Sequence, residues 1–136
     1  MPTPSSYDYA IVRVVPRVER EEFINAGVIL SCQAQDFLGA RIELDERRLL
    51  VLDANVDLEA VRANLASIPI VCAGGAAAGP IGKLSPRERF HWLVAPRSTI
   101  IQTSAVHTGR CDDLQGALGR LLDRMVRPLT PPAPLP

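Results

Sequence analysis

The sequence predicts a single α+β domain in which an antiparallel sheet of about four strands packs against two or three helices. Segments rich in β-branched and aromatic residues succeed one another early in the chain, at YDYAIVRVV, FINAGVILSC and FLGARIEL. Apolar residues at helical spacing follow, from Leu58 to Ile68 and from Leu114 to Val126. A chain of 136 residues that is 47% hydrophobic carries enough apolar surface for one core. The domain is therefore placed at 7–127, between a disordered N-terminus at 1–6 and a Pro-rich flexible tail at 128–136.

The first strand runs from Tyr7 to Val15, and Pro16 stops it because proline cannot donate to a ladder. In the second, Ile24, Ala26, Val28, Leu30 and Cys32 fall on one face and Asn25, Gly27 and Ser31 on the other, a smaller and more polar side. Leu38, Ala40, Ile42 and Leu44 then point inward and Gly39, Arg41 and Glu43 outward, with Arg41 and Glu43 as solvated partners across the sheet. The segment DERRLLVL permits a short helix without requiring one. Asp57 caps a helix that carries Leu58, Val61, Leu65 and Ile68 and ends at Pro69. AGGAAAGPIG, rich in glycine and poor in side-chain volume, is expected to be a flexible loop or lid. Ser85, Pro86 and Glu88 spell a capping box that opens a helix through Leu93. STIIQTSAV supplies the fourth strand, and Asp112 or Asp113 opens the last helix, striped by Leu114, Ala117, Leu118, Leu121, Leu122, Met125 and Val126.

Charge and cysteine content narrow the function classes. With 15 basic and 15 acidic residues the chain lacks the overall field that gathers polyanions, so nucleic acid is not the expected partner. The three cysteines are widely spaced and odd in number, which points to free thiols in a reducing compartment and hence to the cytoplasm. No apolar run reaches the roughly 20 residues that cross a bilayer, so no membrane association is expected.

The stretch HWLVAPRSTIIQTSAVHTGRCDD concentrates the chain's chemistry, with both histidines, two arginines, a cysteine and an acid pair. His107 is placed at the end of the fourth strand, just before a helix, where side chains are exposed and backbone amides converge. As a general base it needs an acid to orient it, and Asp112 or Asp113 is in position by sequence, with Ser104 or Thr108 as hydroxyl partner. No nucleophile elbow surrounds Ser104, so the set is permissive rather than specific. A metal site is not expected, because no pair of His or Cys has the spacing that prepositions two donors, and no cofactor is expected. The Gly-rich stretch fails as a P-loop: Ala77 stands where glycine is needed and Leu84 where Ser or Thr is needed. Arg13, in mid-strand among Ile11, Val12 and Val14, must snorkel, pair or face a polar groove. Asn25 and Gly27 mark a bulge or a close backbone approach.

YDYAIVRVVP, EEFINAGVIL and RFHWLVAPRSTIIQTSAVHTG, in that order and ahead of an acid-capped final helix, resemble an uncharacterised bacterial family, domain of unknown function 3037. The resemblance runs from about Tyr7 to Arg127 and rests on Y-x-Y-A, F-x-N-x-G-V and I-Q-x-S before H-T-G. It implies no activity, catalytic residue or cofactor. It does imply a context, since members are commonly encoded beside a HipA-like kinase, which makes that kinase the implied partner. The matching positions include Asn25, Gly27, Arg97, Gln102, Ser104, His107 and Gly109.

The reading is a small cytoplasmic binding or regulatory module acting with another protein such as a HipA-like kinase. Its expected contact residues are Arg97, Ser104, His107, Thr108 and Arg110, with Asn25 and Arg13. The alternative is a hydrolase-type enzyme using His107 with Asp112 or Asp113. A weaker alternative is nucleic-acid binding through Arg120, Arg124 and Arg127 of the last helix.

Overall fold

The computed structural model describes residues 4–129. The expected tail therefore lies mostly outside the described residues, as do the first three positions of the expected N-terminal segment. Ser5 and Ser6 already belong to the first strand.

Nine regular elements follow one another: β1 (Ser5–Val14), β2 (Ile24–Cys32), β3 (Phe37–Ile42), α1 (Glu46–Leu52), α2 (Leu58–Ala73), α3 (Pro86–Val94), β4 (Ile101–Thr103), β5 (His107–Cys111) and α4 (Leu114–Met125). The strands form one open antiparallel sheet in the order β3-β2-β1-β4, with β5 also paired to β1. The fold is thus α+β, as its patterning predicts, with five strands.

The meander β1–β2–β3 forms the centre, but its burial differs from expectation. Both faces of β2 are covered. Val12, Val14, Ile24, Ala26 and Ile29 pack with Leu49, Val61, Leu65, Ile68, Phe90 and Leu93 of α1, α2 and α3. On the opposite face Val28, Leu30 and Cys32 pack under Leu114, Ala117, Leu118, Leu121 and Leu122 of α4. A bulge causes the switch: Val12 faces Gly27 and Arg13 faces Asn25, so Ala26 is the extra residue. One additional residue in a period-two element sends all later side chains to the other face. Gly27 is required beside it, because a Cβ there would stand 2.6 Å from Ile42 Cδ1 and 2.7 Å from the Arg41 carbonyl oxygen.

On β3, Leu38, Ala40, Ile42 and Leu44 do face the first core. Arg41 and Glu43 do not pair with each other. The Arg41 guanidinium donates to the carbonyl and side chain of Gln115 on α4, and Glu43 takes a bidentate bond from Arg127 at 2.9 and 3.1 Å. That fork holds the Glu43 carboxyl below its usual range.

Asp45 caps α1 by accepting from the Arg48 N–H, and Asp57 caps α2 by accepting from that of Ala60. Pro69 does not end α2, which continues to Ala73. Proline removes one donor, but Val71 and Cys72 beyond it are buried in the core, and that packing holds the last turn. The Gly-rich stretch is a pair of tight 3-10 turns over Ala76–Lys83 rather than a free loop. The Gly75 N–H donates to the Gly82 carbonyl, and Ala78 and Ile81 pack onto the core. Ser85 and Glu88 complete the capping box of α3 with reciprocal bonds of 3.2 Å.

β4 and β5 divide one edge of β1 between them. β4 pairs with Val12–Val14 and β5 with Ser5–Tyr9. Ser104 spans the break: its N–H donates to the Ile11 carbonyl, and its hydroxyl accepts from the Ile11 N–H at 2.8 Å.

Candidate functional site

The residues expected to share one rim are dispersed along this divided edge. Ile100 bonds to Val15, whereas His107 faces Tyr9. Six residues of β1 separate those points, about 20 Å at the usual rise of a strand. Arg97 and His107 therefore lie at opposite ends of the edge.

His107 opens β5 instead of closing β4, exposed, with its ring 5.4 Å from that of Tyr9. The extended backbone of β5 places Cys111 about 13 Å farther on, and Asp112 and Asp113 follow it. The Asp113 carboxylate turns toward α4, where a Cβ on Gly116 would stand 2.4 Å from Asp113 Oδ2. Proton transfer needs heavy atoms at about 3 Å, so the expected histidine–aspartate pair is not assembled. Thr108 and Arg110 are exposed on β5 opposite Asp8 and Ser6. Ser104 is buried and spends its hydroxyl on Ile11 and on the Ala105 carbonyl, which makes it a structural bridge. Cys111 is buried beneath α4 at the far end of the strand from His107. Among the described residues no three His, Cys, Asp or Glu side chains gather in a way that would hold a metal. No single helix there is long and apolar enough to cross a membrane.

The arginines expected on the last helix do not all lie on it, since α4 ends at Met125 and Arg127 stands two residues beyond. Arg127 is held by Glu43 and Asp123. Arg120 and Arg124 remain exposed.

At the other end of the edge the geometry does converge. Arg13, Val15, Val18, Glu21, Phe23, Arg97, Ser98 and Gln102 line a cleft of about 450 Å³. Two guanidinium groups face it, each over an aromatic ring: Arg13 at 4.2 Å from the Phe23 centroid and Arg97 at 4.6 Å from that of Trp92. Their situations differ. Arg97 donates to the Leu93 and Trp92 carbonyls at the C-terminus of α3, where a cation also complements the helix dipole. The Arg13 guanidinium makes no hydrogen bond or ion pair among the described residues, and its Nε is sealed from solvent without a partner. The acid in the cleft wall is Glu21, in a left-handed conformation with φ 56°.

Sequence reasoning singles out Arg13 and Arg97 but misses Phe23, Trp92 and Glu21. Three separate segments deliver them, and no local spacing links an arginine on β1 to a ring before β2. Asn25 is structural in part: its Nδ2 donates to the Met125 carbonyl at 2.8 Å, tying β2 to the end of α4.

On the other side of β4, Asn64, Ser67, Ile68, Trp92, Leu93, Ile101 and Thr103 line a second cavity of about 140 Å³. Arg97 and Gln102 border both spaces.

Fold and site together define a small α+β domain with a positively charged cleft at a sheet edge. The chain belongs to the family described as "Protein of unknown function (DUF3037)", whose model matches residues 9–126, nearly the whole chain. Searches of the curated proteins and of the solved structures return no match.

Proposed function

We propose that this chain is a binding module whose Arg13 cleft receives an acidic group of a partner protein. One observation carries the reading. The guanidinium of Arg13, next to last in β1, is held against Phe23 with a buried Nε that has no acceptor among the described residues. An unpartnered buried donor costs about 1–3 kcal/mol, and the guanidinium that carries it belongs to a residue lining the cleft, where an arriving carboxylate supplies the opposite charge. Arg97 adds a second cation across the cleft and Glu21 opposes them with one charge, so the balance favours an anion. The HipA-like kinase implied by the family resemblance is the first partner to try.

The test compares the wild-type chain with Arg13→Ala and His107→Ala in pull-downs from native lysate, followed by calorimetric titration of the recovered protein and of the kinase. Wild type and His107→Ala are expected to bind alike, and Arg13→Ala at least tenfold more weakly. Equal binding by Arg13→Ala, or no stoichiometric partner, overturns the reading.

A further inference from the structure

The two cavities lie on opposite faces of one edge strand. Register fixes this: Gln102 faces Arg13 and shares its side of the sheet, whereas Ile101 and Thr103 face Val14 and Val12 and share theirs. The charged cleft is therefore on the α4 side, and the Trp92 cavity on the side of α2 and α3.

The backbone of β4 is arranged to match. Ser104 pairs with Ile11 and the Ile100 carbonyl with Val15, so the alternation of an antiparallel ladder puts Gln102 in the bonded position against Arg13. The same alternation turns the N–H and C=O groups of Ile101 and Thr103 away from β1, toward the open edge. The Thr99 hydroxyl donates to the Ile101 carbonyl and occupies one of those positions. Among the described residues no further strand pairs with this edge in the sheet order. Such an edge is a template for another strand.

We propose that an extended segment of a partner protein adds to the sheet alongside β4, with one side chain entering the Arg13 cleft and its neighbour entering the Trp92 cavity. The proposal rests on the reading of Arg13 as an acid receptor and assigns it a binding mode. Adjacent residues of a strand point to opposite faces, so the two cavities read consecutive positions. Charge decides the first: Arg13 and Arg97 select Asp or Glu. Shape and composition decide the second, where Ile68, Trp92, Leu93 and Ile101 offer an apolar wall in a space fitting one medium side chain. The segment recognised is thus an acidic residue directly beside an apolar one, in extended conformation. Gln102 and Arg97, bordering both cavities, flank the added strand.

The experiment is selection of a random octapeptide display library on the full chain and, in parallel, on Arg13→Ala. Selected peptides are then resynthesised with N-methyl groups on one or the other alternating set of backbone amides, and their affinities are read by fluorescence anisotropy. Expected is enrichment of Asp or Glu adjacent to Leu, Ile, Val or Met. Methylation of one amide set is expected to weaken binding at least tenfold while the other set is tolerated. No enrichment, or equal tolerance of both methylated sets, overturns strand addition and leaves the acid-receptor reading to its own test. Enrichment of the same acids on Arg13→Ala overturns the acid-receptor reading itself.

Discussion

Arg13 and Asn25 face each other across the bulge that divides the sheet's two cores, and each keeps one buried polar atom without a partner among the described residues, Nε of the arginine and Oδ1 of the asparagine. Buried orphans are uncommon in folded proteins, and two in one cross-strand pair mark a position shaped by something besides stability. Asn25 has a structural use for its other amide atom, the bond to Met125. The Arg13 guanidinium lies over the Phe23 ring.

The expected consequence is a separation of stability from binding. Arg13→Met keeps an apolar stem beside Phe23 and removes both the stacked guanidinium and its unpartnered donor. Thermal unfolding should therefore show a Tm unchanged or raised by a few degrees, since about 1 kcal/mol moves a domain of this size by roughly 3–4 °C. Binding of the acidic partner should fall at least tenfold. A Tm lowered by more than about 5 °C would mean that Arg13 is structural and would remove the main argument for the cleft.

Ser104 makes the opposite trade. Ser104→Ala strands the Ile11 N–H at the junction of β4 and β5, where the hydroxyl is the acceptor. The loss is expected to be about 1–3 kcal/mol, the cost of an unsatisfied buried donor. Chemical denaturation measures it, and partner affinity of the folded fraction should not change. A stable variant with weakened binding would return Ser104 to the contact surface.

Much of this architecture is legible in the residues themselves. The alternation in β3, the capping box at Ser85 and the stripe of α4 each follow from a local period or a local bond, and each stands where the pattern puts it. The phase change in β2 is different. Gly27 and Ser31 read as part of a more polar side, yet both are buried, and a period-two pattern gives no sign of the extra residue at Ala26. The division of one edge between β4 and β5 is hidden for another reason: both segments pair with a strand roughly a hundred residues away, and only that pairing shows that one strand ends just before Ser104 and another begins at His107. Arg13 is visible as a charge in an apolar strand. Its ring partner and the second guanidinium come from distant segments, so the cleft exists only in three dimensions.

Arg89, which the pattern of α3 does not single out, is buried and crowds one of two neighbouring glycines. Gly74 and Gly75 have nearly the same backbone, φ 71° and 80° with ψ −166° in both, a region open essentially to glycine. Their surroundings differ. A Cβ on Gly74 would lie 2.3 Å from a terminal nitrogen of Arg89, whereas one on Gly75 would meet nothing within 4 Å. Gly75→Ala is expected to cost about 1–3 kcal/mol from backbone strain alone. Gly74→Ala adds displacement of the guanidinium of Arg89, a residue 8% exposed whose terminal nitrogen lies beside the C-cap of α2. Denaturant titration should therefore rank Gly74→Ala as the more destabilised by at least about 1 kcal/mol. Equal losses would show that Arg89 moves aside without cost.

The same arginine shapes the alkaline limit of the fold. Burial pushes the Cys72 thiol up to about 12, and the nearby Arg89 charge only partly offsets this. A folded pKa above that of the unfolded chain means that the native state holds its proton more tightly, so the stabilisation is complete below the ordinary thiol range and is lost as pH rises through it toward 12. At about pH 11 the linked loss amounts to roughly 2–3 kcal/mol. Cys72→Ala removes this dependence while creating a small void, which costs about 1 kcal/mol at neutral pH. Denaturation midpoints measured under reducing conditions from pH 7 to 11 should start lower for Cys72→Ala and converge on or cross those of the wild type at the alkaline end. Parallel curves across that range would show that the thiol does not titrate with unfolding.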